Sequence, residues 1–499
     1  MKDKILFWFG VEFTHFCLSQ SMQEKFDADY YALIDITAKT KKFFKQQNMV
    51  NFKNTWFFFD YVKKQTKKPD FEYLAKFEEK YKINLWTLAI NERIFYRFYD
   101  FHKFSNDEIY SILEQECRLF EKILDEVKPD FVVTKDPSRH HHQLFIDLCN
   151  AKNIDVLLLS RTTLGNKVIL SKKSHHFDNS IISDNYNNPK RNFDELRNYL
   201  SNSIFSKYSN KSYKPSNQNN KIFALRDYLL SDTKENEEQY YYYGRNKINV
   251  LINAVSTILK TKQREKFLNN NSLKNPNLDS PFVYFPLHVD MERPLLIGAP
   301  FYTNQIEIIR HIAKSLPVNY RLLVKESPAG HTRSWRHKDE YKSILEIPNV
   351  YLINPKVPAE NLYKKCSLVF TVAGTSGFEA AFFEKPTIVF SDVGYLGLPS
   401  IFRVQNIEEL PQIIRKALGT KLKSKDLNKF VNFMIHETID FEWWAFQKDF
   451  YDQFYYDGNL HDVEISESKL NQFINQHQTE LDLLANAHIE KIQSYKQKK

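Results

Sequence analysis

At 499 residues, 42% apolar and 15% aromatic, the chain exceeds one ordinary core, so two domains of a well-packed globular protein are expected. Four cysteines, Cys17, Cys117, Cys149 and Cys366, lie far apart with no CxxC spacing, which argues against a disulfide framework or a zinc site and fits a reducing cytoplasm. The formal charge of +9 suits an anionic substrate or lipid surface, but most of the excess is dispersed. A local cluster stands at Lys421, Lys423, Lys425 and Lys429 and a basic run closes the chain; no nucleic-acid motif with base-stacking aromatics accompanies them, so nucleic acid is not an expected partner. The start, MKDKILFWFG, is too short an apolar run for a signal peptide, and no stretch reaches the ~18 apolar residues of a membrane span. A soluble, cytoplasmic protein is expected.

Taken in chain order, Lys4 to Phe9 and Tyr30 to Ile36 read as strands, with a helix ending near Lys25 between them. Residues 37 to 65 alternate helical charge with aromatic runs such as Trp56 to Phe59. From Asn106 to Glu126 the apolar positions Ile109, Ile112, Leu113, Leu119, Phe120, Ile123 and Leu124 recur at helical spacing. Pro129 ends that helix; Phe131 to Val133 is a buried strand, Arg139 to Ala151 a helix and Asp155 to Leu159 a strand. This alternation predicts a doubly wound, Rossmann-like domain over residues 1–200.

Residues 201 to 222 are Asn/Ser-rich and read as a linker, followed by a long Tyr-rich helix over 235 to 268 and a polar connector at 269 to 281. A second Rossmann-like domain is predicted for 282–420: strand Phe282 to Phe285, helix Asn304 to Ser315, strands Arg321 to Val324 and Val350 to Ile353, then helix Ala359 to Lys364. A helical extension over 421–499 follows, rich in aromatics from Phe441 to Tyr456; packing against the N-terminal domain is the preferred reading, a membrane- or partner-facing surface the other.

Within the second domain, residues 366 to 399 form one βαβ unit: the apolar run Leu368 to Val372, the turn Gly374, Thr375, Ser376, Gly377, a short helix from Phe378, and the strand Thr387 to Phe390. Glycines let backbone approach a ligand, and the new helix presents free N–H groups to an anion. A tight strand-to-helix turn capped by Ser376 is the plain alternative. Lys325, Glu326, His331 and Arg333 follow another strand end, where an α/β domain places its ligand loops; Lys and Arg suit a diphosphate. His288, Asp290, Glu292 and Arg293 share the loop LHVDMERP, with Glu292 the preferred carboxylate for a base and His288 a second catalytic candidate. Asp136, or His140 of the run His140-His141-His142, is a candidate base after the third N-terminal strand. Three consecutive histidines diverge by about 100° per residue on a helix and cannot all face one ion, so no metal site is expected.

The segments YFPLHVDMERPLLIGAPFYTNQIEIIRHIAKSLP at 284–317, LLVKESPAGHTRSW at 322–335 and NVYLINPKVPAENLYKKCSLVFTVAGTSGFEAAFFEKPTIVFSDVGY at 349–395 resemble the capsule and surface-polysaccharide biosynthesis family, the broad group that includes capsular Kdo transferases. PDFVVTKD at 129–136 and SRTTLGNKVILS at 160–171 are similar to a lesser degree. The resemblance implies a GT-B-like α/β fold, two Rossmann-like domains facing a cleft, and a glycosyltransferase moving a sugar from a nucleotide-activated donor to a glycan or lipid-linked acceptor. It implies donor phosphate at Gly374 to Gly377, donor hydroxyls at Glu379, and a nucleotide-sugar used as substrate with no cofactor and no essential metal. Where the family usually has His-Pro, this chain has Ser327-Pro328, and His331 is the nearest imidazole. Association with the inner face of the membrane is a further expectation. The rival readings are a UDP-sugar 2-epimerase of the same fold and a non-catalytic scaffold of a polysaccharide assembly complex.

Overall fold

The computed structural model describes residues 2–65, 67–98, 101–164, 166–179, 189–202, 217–231, 234–327 and 336–497. These residues divide into two interleaved compact units: Met1–Asp178 with Ile204–Val250 and Thr438–Lys499, and Asn179–Ser203 with Leu251–Glu437.

The first unit is built on strands β1 (Asp3–Phe9), β2 (Ala28–Ile34), β3 (Phe52–Phe57), β4 (Phe131–Lys135), β5 (Asp155–Arg161) and β6 (Lys167–Ser171). With the short closing strand Ile439–Asp440 they form one sheet in the order closing strand, β6, β5, β4, β1, β2, β3, parallel from β3 to β5 and antiparallel beyond. Strand β1 is apolar from Ile5 to Phe9 because both of its faces are covered there. Ile5, Phe7 and Phe9 enter one core and Leu6 and Trp8 the other. The second core is filled mainly by the helix Asn106–Val127, whose start is fixed by a reciprocal pair: Ser105 accepts from the Glu108 amide and Glu108 accepts from the Ser105 amide. The first core takes the C-terminal helices Trp443–Phe454, Glu467–Gln476 and Gln478–Gln497. Phe450 stacks on Phe13 at 5.2 Å, and Phe441, Phe446, Phe454 and Tyr455 are buried with it. The aromatic cluster of the C-terminal extension is thus core of the first unit, the preferred of its two readings.

The second unit has strands β7 (Phe282–Pro286), β8 (Arg321–Lys325), β9 (Val350–Ile353), β10 (Leu368–Thr371), β11 (Thr387–Val389) and β12 (Ile401–Arg403). Their order is β9-β8-β7-β10-β11-β12, all parallel, a doubly wound Rossmann-like sheet. The order reverses between β7 and β10, and a ligand crevice is expected at the carboxyl ends of that strand pair. The α/β class and the two Rossmann-like sheets agree with the sequence reading.

Three expectations need correction. The predicted single helix over 235–268 is broken: a helix over Glu237–Tyr242 stops at Gly244, whose φ of +61° is left-handed, and a new helix runs over Lys247–Asn271. Residues 52–57, read as part of an alternating helical and aromatic stretch, form edge strand β3. The linker expected at 201–222 falls largely on 203–216, outside the described residues, and its end, from Gln218, is helical.

Candidate active site

Strand β7 ends at Pro286, and Leu287 donates its amide to the Lys325 carbonyl of β8, so the loops after both strands leave the sheet together. Gln305 then pins the loop after β7. Its side-chain oxygen accepts from the His288 amide at 2.8 Å, and its amide group donates to Asp290 at 2.6 Å and to the His288 carbonyl at 3.1 Å. Arg336 closes the same loop from the other side with an ion pair to Asp290 at 2.7 Å, another to Glu340 at 3.3 Å, and a hydrogen bond to the His288 carbonyl at 3.0 Å. Burial works against its charge, but Asp290 and Glu326 more than offset this and hold its pKa above the ordinary arginine value.

His288 crosses the switch point. Its Nε2 accepts the Val372 amide at 3.1 Å and lies 2.9 Å from the Thr371 hydroxyl, which itself accepts the Gly374 amide at 3.0 Å. A ring nitrogen that accepts a backbone N–H carries its lone pair there, so the neutral ring bears its proton on Nδ1. Burial lowers the pKa of His288 to about 4. The lone pair of His288, a catalytic candidate from the sequence, is occupied here, and the ring ties β7 to the turn after β10. A Cβ on Gly374 would fall 2.6 Å from His288 Cε1 and 2.8 Å from Thr371 Oγ1, so glycine is required there by close approach.

The turn Gly374 to Gly377 is held by its own neighbours. Tyr395 donates its hydroxyl to the Gly374 carbonyl, and Thr387 donates to the Gly377 carbonyl at 3.2 Å. Ser376 opens the helix Ser376–Phe382; the cap position belongs to Thr375, whose hydroxyl donates to Glu379 at 2.9 Å instead of capping the helix. The amide N–H groups of Thr375 and Ser376 have no acceptor among the described residues. Glu379 also accepts from the Tyr363 hydroxyl at 3.2 Å. Burial raises its carboxyl pKa, with the two hydroxyl bonds acting against the shift.

Lys325 ends β8 at 3% exposure, and its ammonium has no hydrogen bond among the described residues. Burial lowers the pKa of its ammonium, which Glu326 offsets in part. Glu326, expected to meet donor, is instead engaged internally: it accepts from Arg336 at 3.4 Å, from the Tyr341 hydroxyl, and from the Ser327 amide at 2.9 Å. Its carboxylate braces the loop. Glu292 is the N-cap of the short helix Arg293–Leu296 and is half-buried. His331 and Arg333 lie outside the described residues.

In the first unit Asp136 follows β4 and accepts hydrogen bonds from Ser160 at 2.6 Å and from Ser174, with His175 Nε2 at 2.7 Å. Of the three histidines only the third turns away from the other two. His142 stacks on Trp8 at 4.4 Å and pairs with the Thr134 hydroxyl at 2.7 Å. His140 and His141 converge with Glu116, their ligand atoms within 4.8 Å of one another. The angular argument therefore holds for the third histidine and fails for the first two. His140 sits between Glu92 and Glu116 in the core, so it is not exposed as a base.

Arg336, Gln305, Thr371, Tyr363 and Tyr395 were not legible as site residues. None stands in a short chemical motif, and each acts through a partner that only folding brings beside it. The weak signal was their polarity inside otherwise apolar segments.

Residues 178–398 match the model of a family described as capsule polysaccharide biosynthesis protein. The resemblance carried by the segments at 284–317, 322–335 and 349–395 is borne out over that span, and the segments at 129–136 and 160–171 precede it. Among solved structures, the chain is similar to the beta Kdo 2,7 transferase KpsC of Thermosulfurimonas dismutans at 13% identity and TM-score 0.28, covering 70% of this chain and 97% of that one. It is also similar to the UDP-GlcNAc 2-epimerase of Methanocaldococcus jannaschii in complex with UDP-GlcNAc and UDP, at 12% identity and TM-score 0.26, covering 87% and 99%. The UDP-GlcNAc 2-epimerase of Neisseria meningitidis bound to UDP-GlcNAc follows at 13% identity and TM-score 0.26, covering 87% and 98%. No curated protein matches. Among the described residues no helix is long and apolar enough to cross a membrane.

Proposed function

We propose that the chain is a glycosyltransferase of surface-polysaccharide assembly that takes its sugar from a nucleotide-activated donor bound at the carboxyl edge of the second sheet. The observation that carries this reading is a pairing of unmet needs at that edge. Lys325 is 3% exposed at the end of β8, and its ammonium has no hydrogen bond among the described residues. The amides of Thr375 and Ser376, after β10 and two strands away, are without acceptors among the described residues. Adjacent strands lie about 4.8 Å apart, so these donors are spaced by roughly 10 Å, the reach of a diphosphate and its sugar. A buried ammonium is costly unless paired, and an anionic ligand supplies the pair. The family match over 178–398 supports carbohydrate as the ligand class.

In this reading Lys325 and the turn Gly374 to Gly377 hold the donor phosphates, joined by His331 and Arg333. Glu379, bearing two hydroxyl donors, faces ribose or sugar hydroxyls. Glu292 is the proposed base. Donor oxygen charge developing in the transition state is stabilised by fixed donors and cations, with no metal required.

The test is calorimetric titration of the purified protein with CMP, UDP, GDP and dTDP, followed by product analysis with the matching sugar nucleotide. One nucleotide is expected to bind, with loss in Lys325→Met and Gly374→Ala. Transfer should require an acceptor; an epimerised product formed from donor alone would sink the transferase reading. Binding of none of the four would favour a scaffold.

A further inference from the structure

The first unit contains a buried cluster that the proposed transfer reaction does not use. Glu116 comes from the helix Asn106–Val127, His140 and His141 open the helix His140–Ala151, and Tyr242 closes the helix Glu237–Tyr242. All four are at most 2% exposed. Their polar atoms converge on one point. Tyr242 Oη lies 2.9 Å from Glu116 Oε1, 2.8 Å from His141 Nδ1 and 3.4 Å from His140 Nε2, and His140 Nε2 lies 3.1 Å from both Glu116 oxygens. Four ligands at about 2.0–2.1 Å from a zinc ion stand about 3.3 Å apart along the edges of a tetrahedron. The contacts of Tyr242 and the His140–Glu116 contacts, 2.8–3.4 Å, lie around that value, and the ligand atoms of Glu116, His140 and His141 all lie within 4.8 Å of one another.

The surroundings of the two imidazoles are the second, independent observation. His140 turns Nδ1 to Glu92 at 2.9 Å, and His141 turns Nε2 to Asp35 at 3.0 Å. A carboxylate on the far nitrogen of each ring fixes the tautomer that leaves the near nitrogen with its lone pair, which is how metal-binding histidines are held. His140 Nε2 then faces two carboxylate oxygens, an arrangement that demands a cation or a proton between them. A proton on that nitrogen would serve the His140–Glu116 pair alone. The His141 lone pair has its own hydrogen donor, the Tyr242 hydroxyl at 2.8 Å, so a bound ion would replace both of these protons at one point.

We propose that Glu116, His140, His141 and Tyr242 bind one divalent transition metal ion, zinc first among them, as a closed structural site. Two imidazoles, a carboxylate and a phenol oxygen form an N2O2 set that suits zinc. With no ligand position open to water, the ion ties together three helices of the first unit. Complete burial means that it enters during folding and resists chelators afterwards.

The test is metal analysis of the full chain, purified through a tag other than polyhistidine and without chelator. About one metal ion per chain is expected, retained through dialysis against EDTA. Glu116→Gln and His141→Gln should abolish it, and Glu92→Gln should weaken affinity 10- to 100-fold. Refolding of denatured wild-type protein with cobalt should give the intense visible d–d absorption of a four-coordinate ion, altered in Tyr242→Phe; this arm stands even if the Glu116 variant fails to fold. Wild-type protein with less than about a tenth of an ion per chain, together with no such absorption after cobalt refolding, overturns the site. So does metal retained undiminished in both the Glu116 and His141 variants, which would place the ion elsewhere.

Discussion

Lys325 is 3% exposed, and a methionine of similar length carries no charge to desolvate at that position. Lys325→Met is therefore expected to leave stability unchanged or raise it by about 1 kcal/mol, while nucleotide affinity falls at least tenfold; thermal melts and calorimetry on the same sample check both halves. A variant that loses stability and keeps affinity would make Lys325 structural. Glu379 gives a pH signature. Its folded pKa is raised by burial, so between the unfolded and folded values the native state binds more protons than the unfolded one, and stability falls as pH rises through that window. Above the folded pKa the penalty is complete. Glu379→Gln should therefore melt higher than wild type at pH 7 to 8, with the gap closing as pH is lowered toward the ordinary glutamate value of about 4.3. A gap that is constant with pH would contradict the raised pKa.

At the scale of the element, two glycines do different work. Gly374 is demanded by space, since an added Cβ meets His288 and Thr371 at under 3 Å. Gly374→Ala should cost about 1–3 kcal/mol in denaturant unfolding and displace the ring that ties β7 to β10. Its loss of ligand affinity would then follow from the moved turn. Gly244 is demanded by both its φ of +61° and a Cβ contact of 2.6 Å to His102 Cβ. It ends the helix bearing Tyr242, and so fixes where that phenol lands. The break went unread because the Tyr-rich run Tyr240 to Tyr243 and the following amphipathic stretch are each helical in propensity, and one glycine between helical segments is a weak stop signal. Strand β3 went unread for a related reason: an edge strand with one exposed face shows neither a buried apolar run nor a full helical period.

For the molecule as a whole, the C-terminal helices are part of the first unit's core. Phe450 is fully buried between Phe13, Phe454 and Phe473. Phe450→Ala should destabilise that unit by about 3–5 kcal/mol, read as an early transition in calorimetric melting. If the transition does not move, the closing helices do not support the first sheet. The second sheet reverses between β7 and β10, where a ligand crevice is expected, and Lys325 with the turn Gly374 to Gly377 stands at the carboxyl ends of β8 and β10 on either side of β7.

By itself, the sequence determined the α/β class, most strands of both sheets, and the turn at Gly374 to Gly377, because apolar runs, helical periodicity and small-residue turns are local signals. The segments of the second unit also carried the family resemblance, since that resemblance resides in contiguous stretches of chain. Only the tertiary structure decided which polar residues were partnered. Glu326 and Asp290 are neutralised by Arg336, and His288 spends its lone pair on Val372, 84 positions away. His140 and His141 meet Glu116 and Tyr242 across about 100 positions or fewer, while His142 is turned aside to Trp8. Local chemistry names the donors and acceptors; which of them is satisfied depends on long-range packing, and a residue is open to a ligand only where that packing leaves its needs unmet.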